Sequence, residues 1–344
     1  MRRLLPFLLC CTAFACGDGS ARAADAEPAP TFAALFDSLG TITLEENQAT
    51  INVAPIVATD ARGGFVVVDA KELQGRLYDG AGKLVSAFGR DGKGPGEFTA
   101  PMAGRRMPSG GLLVADAMES RITFFDPSAE HAVATSRVPL LPLYDVIPRP
   151  DSVLLLVGRP PGGQRAPLLH LWNMRTGRVD RSFFPTPGGE TVQQLAGSLG
   201  WADAVVRGDT VAAAFSMSDT LYLFSTGGAL RERIPLPFRS FVIPEMPGAD
   251  ERTEPRARND WMQRLTAIYD VFWLPDGSFL VQTARQDGTE LEWGLLHLAR
   301  DGRRIAELAA SPRLMAARGD TLYFVDPRSE VPNRWRIARL RDAS

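Results

Sequence analysis

The hydrophobic pattern of this chain is a strand pattern that repeats. A tight turn rich in Gly, Asp, Pro or Ser leads each time into a strongly apolar run. The first two copies are Asp60-Ala-Arg-Gly-Gly-Phe-Val-Val-Val-Asp69 and Met107-Pro-Ser-Gly-Gly-Leu-Leu-Val-Ala-Asp116. Four more follow, with apolar runs opening at Val153, Val211, Phe279 and Leu322. The six openings lie about 40 to 70 residues apart, the period of a propeller blade with insertions. β-branched and aromatic residues bounded by turn formers favour strands over helices. Each copy continues into a third strand, such as Arg121-Ile-Thr-Phe-Phe125 or Thr220-Leu-Tyr-Leu-Phe224, and five continue into a fourth. The sixth copy runs out at Ser344, whereas Gly40-Thr-Ile-Thr-Leu-Glu45 is a spare strand ahead of the first. The pattern therefore predicts an all-β fold, a six-bladed β-propeller of four-stranded antiparallel blades. The N-terminal strand closes the ring, which removes the exposed edges of an open stack.

Connections between strands divide between two faces. The turns joining first to second and third to fourth strands are minimal. The connections joining second to third strands, and one blade to the next, are long: 158–166, 185–199, 285–292 and 326–334, with the longest at 239–265. The longest is highly charged and carries a short helical pattern around 259–266. Binding residues collect on long loops held by a rigid scaffold. This face is therefore expected to be the working one, with Arg159, Arg285, Trp293 and Trp335 as partner contacts.

The segment Phe88-Gly-Arg-Asp-Gly-Lys-Gly-Pro-Gly-Glu-Phe98 through Pro101, followed by Leu112–Asp116 and Arg121–Asp126, resembles an NHL repeat. The resemblance is specific over this second blade, fair over the first, and architectural over the rest. The whole is similar to bacterial exported six-bladed propeller lipoproteins of NHL-like type.

Candidate chemistry is sparse. Counting eight back from Val153 and Val211 gives Asp145 and Asp203 at equivalent first-strand positions. Asp270 is one residue off, and Tyr144-Asp145-Val146 recurs as Tyr269-Asp270-Val271. Three carboxylates from successive blades match the oxygen donors a hard cation such as Ca²⁺ takes. The simpler reading, that each accepts backbone hydrogen bonds at the start of its own strand, is preferred, and no other cofactor is implied. His170 and His297 share a Leu-Leu-His-Leu context, which points to a repeated structural slot. The glycine-rich run 89–96 leads into a strand and not a helix, so it reads as a connector and not a phosphate cradle. Arg207-Gly-Asp209 and Arg318-Gly-Asp320 read as turns and not as adhesion tripeptides. No Gly-x-Ser-x-Gly elbow, His-Glu-x-x-His helix or paired-cysteine motif occurs.

The remaining signals concern export. Arg2 and Arg3 precede an apolar stretch, Leu4 to Ala15, too short for the roughly 20 residues that span a bilayer. Ala13-Phe-Ala-Cys16 resembles a lipobox, making Cys16 the expected lipidated residue; cleavage after Ala21-Arg22-Ala23 is the competing reading. The expected organisation is a signal peptide over 1–16, a flexible tether over 17–35 and the propeller over 36–344. Membrane association would come only through the lipid. The net charge of −2 over the whole chain falls to −4 without Arg2 and Arg3, and offers no footprint for nucleic acid. Three functions remain. The leading one is a non-catalytic binding or scaffold module for a protein or peptide. The six-bladed relatives imply a second, a metal-dependent hydrolase or lyase of the gluconolactonase or peptide-amidating type. The third is a glycan binder using its tryptophans.

Overall fold

The computed structural model describes residues 30–46, 56–60, 62–161, 165–189, 192, 200–245, 254–288, 290–328 and 333–341. The expected signal peptide, Cys16 and most of the tether lie outside these residues. Six four-stranded antiparallel sheets are formed. Blade 1 holds β2 (Ile56–Thr59), β3 (Phe65–Asp69), β4 (Gln74–Tyr78) and β5 (Leu84–Phe88), after the N-terminal helix α1 (Phe32–Leu35) and strand β1 (Phe36–Thr43). Blade 2 holds β6 (Pro101–Arg106), β7 (Leu112–Asp116), β8 (Arg121–Phe125) and β9 (Ala132–Arg137). Blade 3 is β10 (Leu143–Pro148), β11 (Val153–Gly158), β12 (Pro167–Asn173) and β13 (Arg178–Pro185). Blade 4 is β14 (Ala202–Arg207), β15 (Thr210–Phe215), β16 (Thr220–Ser225) and β17 (Leu230–Pro235). Helix α2 (Pro255–Arg264) precedes blade 5, made of β18 (Thr266–Trp273), β19 (Phe279–Asp287), β20 (Glu290–Leu298) and β21 (Arg304–Leu308). Blade 6 contributes β22 (Leu314–Arg318), β23 (Thr321–Val325) and β24 (Arg334–Leu340).

Ring closure follows the expectation. β1 supplies the outer strand of the last sheet, in the order β1-β24-β23-β22, paired from Phe36 with Leu340 to Thr43 with Arg334. The closing strand starts four residues earlier than the sequence pattern suggests. Phe36 belongs to it because its ring packs on Phe324, with centroids 5.2 Å apart.

Each second strand lies between two neighbouring blades, so it is buried on both sides and reads as an unbroken apolar run. Side chains alternate across a strand, so successive residues enter opposite interfaces. In β7, Leu112 and Val114 pack toward blade 1, while Leu113 and Ala115 pack toward blade 3. In β15, Val211 and Ala213 face blade 3, and Ala212 and Ala214 face blade 5. The described core is accordingly six apolar clusters, one for each blade interface. The outermost strands are polar by contrast: in β17, Leu-Arg-Glu-Arg-Ile-Pro buries only Ile234. Charged outer edges oppose edge-to-edge association.

Two expectations about connections are corrected. Residues 285–292 are mainly hairpin and not loop, because β19 and β20 extend to pair Arg285 with Glu292 and Asp287 with Glu290. The Asp287-Gly288 turn, with Gly288 at φ 58°, makes that extension a ribbon standing on the working face. The helix spans Pro255–Arg264 and not 259–266, since Thr266 and Ala267 are drawn into β18 by pairing with Arg285 and Ala284.

The glycine-rich run ahead of blade 2 is a connector, as expected, and its polarity is opposite to that of a phosphate cradle. It aims the carbonyls of Gly94, at 3.3 Å, and Glu97, at 2.6 Å, at the buried Arg121 guanidinium. Arg207 and Arg318 sit on first-to-second strand turns and clasp the next blade. Arg207 donates to the carbonyl of Pro275 at 2.7 Å, and Arg318 to that of Gly64 at 3.0 Å. His170 and His297 do not share a slot: His170 is buried opposite Leu156, whereas His297 is half-buried opposite Leu280. His170 meets the Ser182 hydroxyl at 2.8 Å, and His297 meets that of Ser278 at 3.1 Å.

Candidate functional site

The first strands of all six blades line the central channel. At its mouth they enclose a cavity of about 310 Å³. Blade 1 contributes Ile56 and Val57, blade 2 Met102 and Arg105, and blade 3 Tyr144 and Asp145. Blade 4 adds Trp201 and Asp203, blade 5 Tyr269 and Asp270, and blade 6 Arg313 and Met315. The three aspartates singled out by their spacing therefore meet at one place.

Local backbone geometry aims them there. A β-bulge lies between Leu143 and Asp145 in β10 and another between Ile268 and Asp270 in β18, whereas β14 pairs without a shift. A bulge re-aims the side chain beside it. Both bulges precede their aspartates and leave the count to the second strand unchanged. Asp270 is out of step because its turn is one residue longer, Trp273 pairing with Phe279 where Val206 pairs with Val211. The pairing levels correct the expected equivalence: Asp203 lies opposite Ala214 and Asp270 opposite Gln282, each the fourth residue of its apolar run, whereas Asp145 lies opposite Val157, the fifth.

The carboxylates have different partners. Asp145 accepts from the Arg105 guanidinium at 2.7 Å through Oδ2 and from its neighbour's N–H, that of Val146, at 2.7 Å through Oδ1. Asp270 accepts from the Gln282 amide at 2.8 Å. Gln282 is itself fixed by the Leu314 backbone, accepting from its N–H at 2.6 Å and donating to its carbonyl at 3.1 Å. Asp203 accepts one bond through Oδ2, from the N–H of Val271 at 2.7 Å, and faces no cation of its own. Burial first, then the nearby charges of Asp270 and Asp145, push its carboxyl well above the ordinary range; Val271 and Arg105 pull the other way. Asp270 is also raised by burial, with Arg313 and Gln282 opposing. Burial pulls the Arg313 guanidinium down, against the charge of Asp270.

The donor set does not suit a hard cation. Two guanidinium groups share the cavity, and among the described residues no group of three or more His, Cys, Asp or Glu side chains is placed to hold a metal ion. The preferred reading, backbone bonds within each aspartate's own strand, describes Asp145 and not the other two, since Asp270 is bonded by the Gln282 side chain. Asp145 takes a backbone bond within its own strand, while Asp203 takes one from the neighbouring blade.

Aromatic rings form the wall on the blade 4–blade 6 side. Trp201 meets Tyr269 edge-on at 5.0 Å, Tyr269 meets Trp293 edge-on at 4.9 Å, and Arg313 lies 4.9 Å above the Trp293 ring. Tyr144 donates from its hydroxyl to the Gly200 carbonyl at 3.0 Å. Behind this wall is a second cavity of about 280 Å³, sharing Tyr144, Trp201 and Tyr269 with the first and otherwise mainly apolar: Met262, Leu265, Ala267, Ala284 and Leu291. A third depression, of about 620 Å³, adjoins it at Gln286 and is lined by Val242, Gln263, Arg264 and Arg285. The three follow one another from the channel mouth outward across blade 5, the outer two between α2 and the β19–β20 ribbon. Helix α2 is held there by Trp261, whose indole N–H donates to the Pro244 carbonyl at 3.1 Å.

The four residues expected on the partner face divide. Arg285 borders the outer depression, ion-paired to Glu292 at 2.5 Å, and Trp293 supports the aromatic wall. Trp335 is a correction: it has no exposed surface and lies edge-on to Phe65 at 5.1 Å in the closing interface. It can therefore neither contact a partner nor stack a sugar. Arg159 is a second correction: it is 5% exposed, and burial lowers its pKa. Residues 246–253, part of the charged connection expected to touch a partner, lie outside the described residues. The sequence reading missed Arg105, Arg313 and Gln282, which belong to no repeated offset.

No protein-family model matches the chain, and no curated protein matches its sequence. Solved structures match its fold. A member of the DUF4221 family from Bacteroides vulgatus aligns with a TM-score of 0.66 at 12% identity, covering 89% of this chain and 97% of that one. A protein from Bacteroides fragilis described as exported aligns at 0.61 and 10% identity, covering 90% and 96%. Virginiamycin B lyase from Staphylococcus aureus, solved with quinupristin, aligns at 0.52 and 12% identity, covering 86% and 82%. At these identities the likeness is one of fold.

Proposed function

We propose that this chain is an exported, lipid-anchored β-propeller that binds an extended segment of a protein or peptide along a groove across blade 5. The observation carrying this reading is the succession of three adjacent cavities. The charged channel mouth shares Tyr144, Trp201 and Tyr269 with an apolar pocket, which adjoins an outer polar depression at Gln286. A groove that is charged, then apolar, then polar suits a chain of successive side chains better than one compact ligand. Long aromatic side chains supply contact area at low entropic cost, as binding surfaces use them. The Bacteroides fragilis neighbour described as exported supports the location. Among the described residues no helix is long and apolar enough to cross a membrane; the Ala13-Phe-Ala-Cys16 sequence supports a lipid anchor at Cys16.

The test is selection of peptides from a random displayed library against the full chain, followed by Leu291→Arg, which fills the apolar pocket with charge. Enriched peptides are expected to lose at least tenfold in affinity. Absence of any enriched peptide, or unchanged binding to the variant, overturns the reading. Location is tested separately: radiolabelled palmitate should mark the wild type and not Cys16→Ser.

A catalytic reading rests on the Asp203–Asp270 pair, two neighbouring carboxyls with unlike partners, the arrangement from which acid and base roles arise. Turnover of lactone or depsipeptide substrates, abolished by Asp270→Asn, would establish it in place of simple binding.

A further inference from the structure

We propose that the channel mouth seats an organic cation, the lysine or arginine side chain of the bound segment, on Asp203 between Tyr144, Trp201 and Tyr269. This rests on the groove being a peptide site, and names what its innermost pocket takes.

The charge inventory points to a cation. Three carboxylates, those of Asp145, Asp203 and Asp270, share the cavity with two guanidinium groups, those of Arg105 and Arg313. Three minus two leaves one negative charge unmatched. Arg105 is committed to Asp145, and Arg313 acts on Asp270. The unmatched group is Asp203. A buried carboxylate without a counter-charge is costly, and it is relieved either by a proton or by an arriving cation. Asp203 offers one oxygen for that purpose, since Val271 takes only Oδ2.

The walls fit the same chemistry. A ring face attracts a cation through its quadrupole, and the attraction strengthens when the cation is desolvated. Tyr144, Trp201 and Tyr269 all line the cavity that Asp203 floors. A volume of about 310 Å³ lies at the small end of ligand pockets and accommodates a single long side chain.

A second, independent feature concerns the peptide and not the cation. The Arg313 side chain lines the cavity, and its buried Nε has no hydrogen-bond partner among the described residues. A guanidinium carries only donors, so it calls for an acceptor. The backbone carbonyl of the residue that places its cation on Asp203 supplies one. Next outward are the apolar walls of Met262, Leu265 and Leu291. The preferred segment is thus a basic residue followed or preceded by an aliphatic one.

Proton linkage provides a signature. The groups facing Asp203 are Asp145, Asp270, Arg105, Arg313 and the two tyrosines. Both tyrosines are shifted upward by burial and stay neutral. Of these the Asp203 proton is the one a bound cation displaces, so cation affinity should rise with pH through the Asp203 titration and then level off.

The experiment measures binding of N-acetyl-lysine N-methylamide, and of its uncharged norleucine counterpart, to the full chain by tryptophan fluorescence and isothermal calorimetry between pH 5 and 9. The lysine probe is expected to bind at least tenfold more tightly than the norleucine probe at neutral pH, with proton release. Asp203→Asn should erase that ratio while binding norleucine unchanged. Equal binding of the two probes, or an undiminished lysine preference in Asp203→Asn, overturns the proposal. Peptides from the library provide the second arm. Enrichment without Lys or Arg overturns this inference and leaves the peptide site standing. A lysine probe that binds while no peptide enriches assigns the pocket to free amines and overturns the peptide reading.

Discussion

At the scale of single residues, Asp203 carries the clearest physical consequence. Its folded-state pKa is raised by burial and by two neighbouring carboxylates, so the folded chain holds a proton that the unfolded chain releases more readily. For such a group, stability is greatest below the unfolded aspartate value and declines as pH rises through the folded one. Asp203→Asn removes that decline, and the amide oxygen retains the bond from the Val271 N–H. The variant should therefore unfold at higher denaturant than wild type at neutral and alkaline pH, with the gap closing toward pH 4. A wild-type stability that does not fall relative to the variant over this range would contradict the burial of that charge. The three aspartates were legible as a group because two share an offset and the third shares a Tyr-Asp-Val context. Arg105 and Arg313 were not. Arg105 reaches Asp145 across a blade interface 40 residues away in sequence, and Arg313 precedes its strand, so neither has a counterpart in another repeat.

At the scale of elements, strands were easier to read than connections. A second strand buried on both sides must be apolar throughout, and no other role gives that run. A ribbon standing on the surface has no such constraint. Its residues Arg285 to Glu292 are polar apart from Leu291, so they look like loop, although backbone pairing holds them as strand. Helix α2 shows the same limit. One residue, Trp261, is 1% exposed and fixes it against the blade 3–blade 4 cluster. Losing a buried tryptophan costs on the order of 3 kcal/mol, and here it leaves the half-buried Met262 as the helix's remaining side chain on that cluster. Trp261→Ala should free the helix while the blades persist. Hydrogen exchange is expected to lose protection over 256–264 and retain it in β15 and β19. Loss of protection in β15 as well would mean that the tryptophan supports the blade interface itself.

At the scale of the molecule, ring closure governs whether the channel-mouth site exists at all. Its residues come from six blades, so the cavity keeps its shape only while every interface is made. Five interfaces join blades that follow each other in sequence. The sixth joins blade 6 to blade 1, with Trp335, Phe65 and Tyr323 in its cluster, and β1 gives blade 6 its outer strand. Repeat proteins gain stability from nearest-neighbour interfaces, and in a ring the last one also fixes all the others in register. Removing β1 leaves β24 with an unpaired edge and strips Phe36 from the rings of Phe32 and Phe324. Deletion of residues 36–43 should therefore produce a chain that retains strand signal in circular dichroism but unfolds with a lower denaturant dependence. It should also associate through the free edge. Lysine-probe binding should vanish with it, although residues 36–43 do not line the cavity, because Arg313 and Asp270 are held at the blade 5–blade 6 interface that Phe36 packs into. A deletion variant that stays monomeric and binds the probe like wild type would place the closure of the ring elsewhere than in β1.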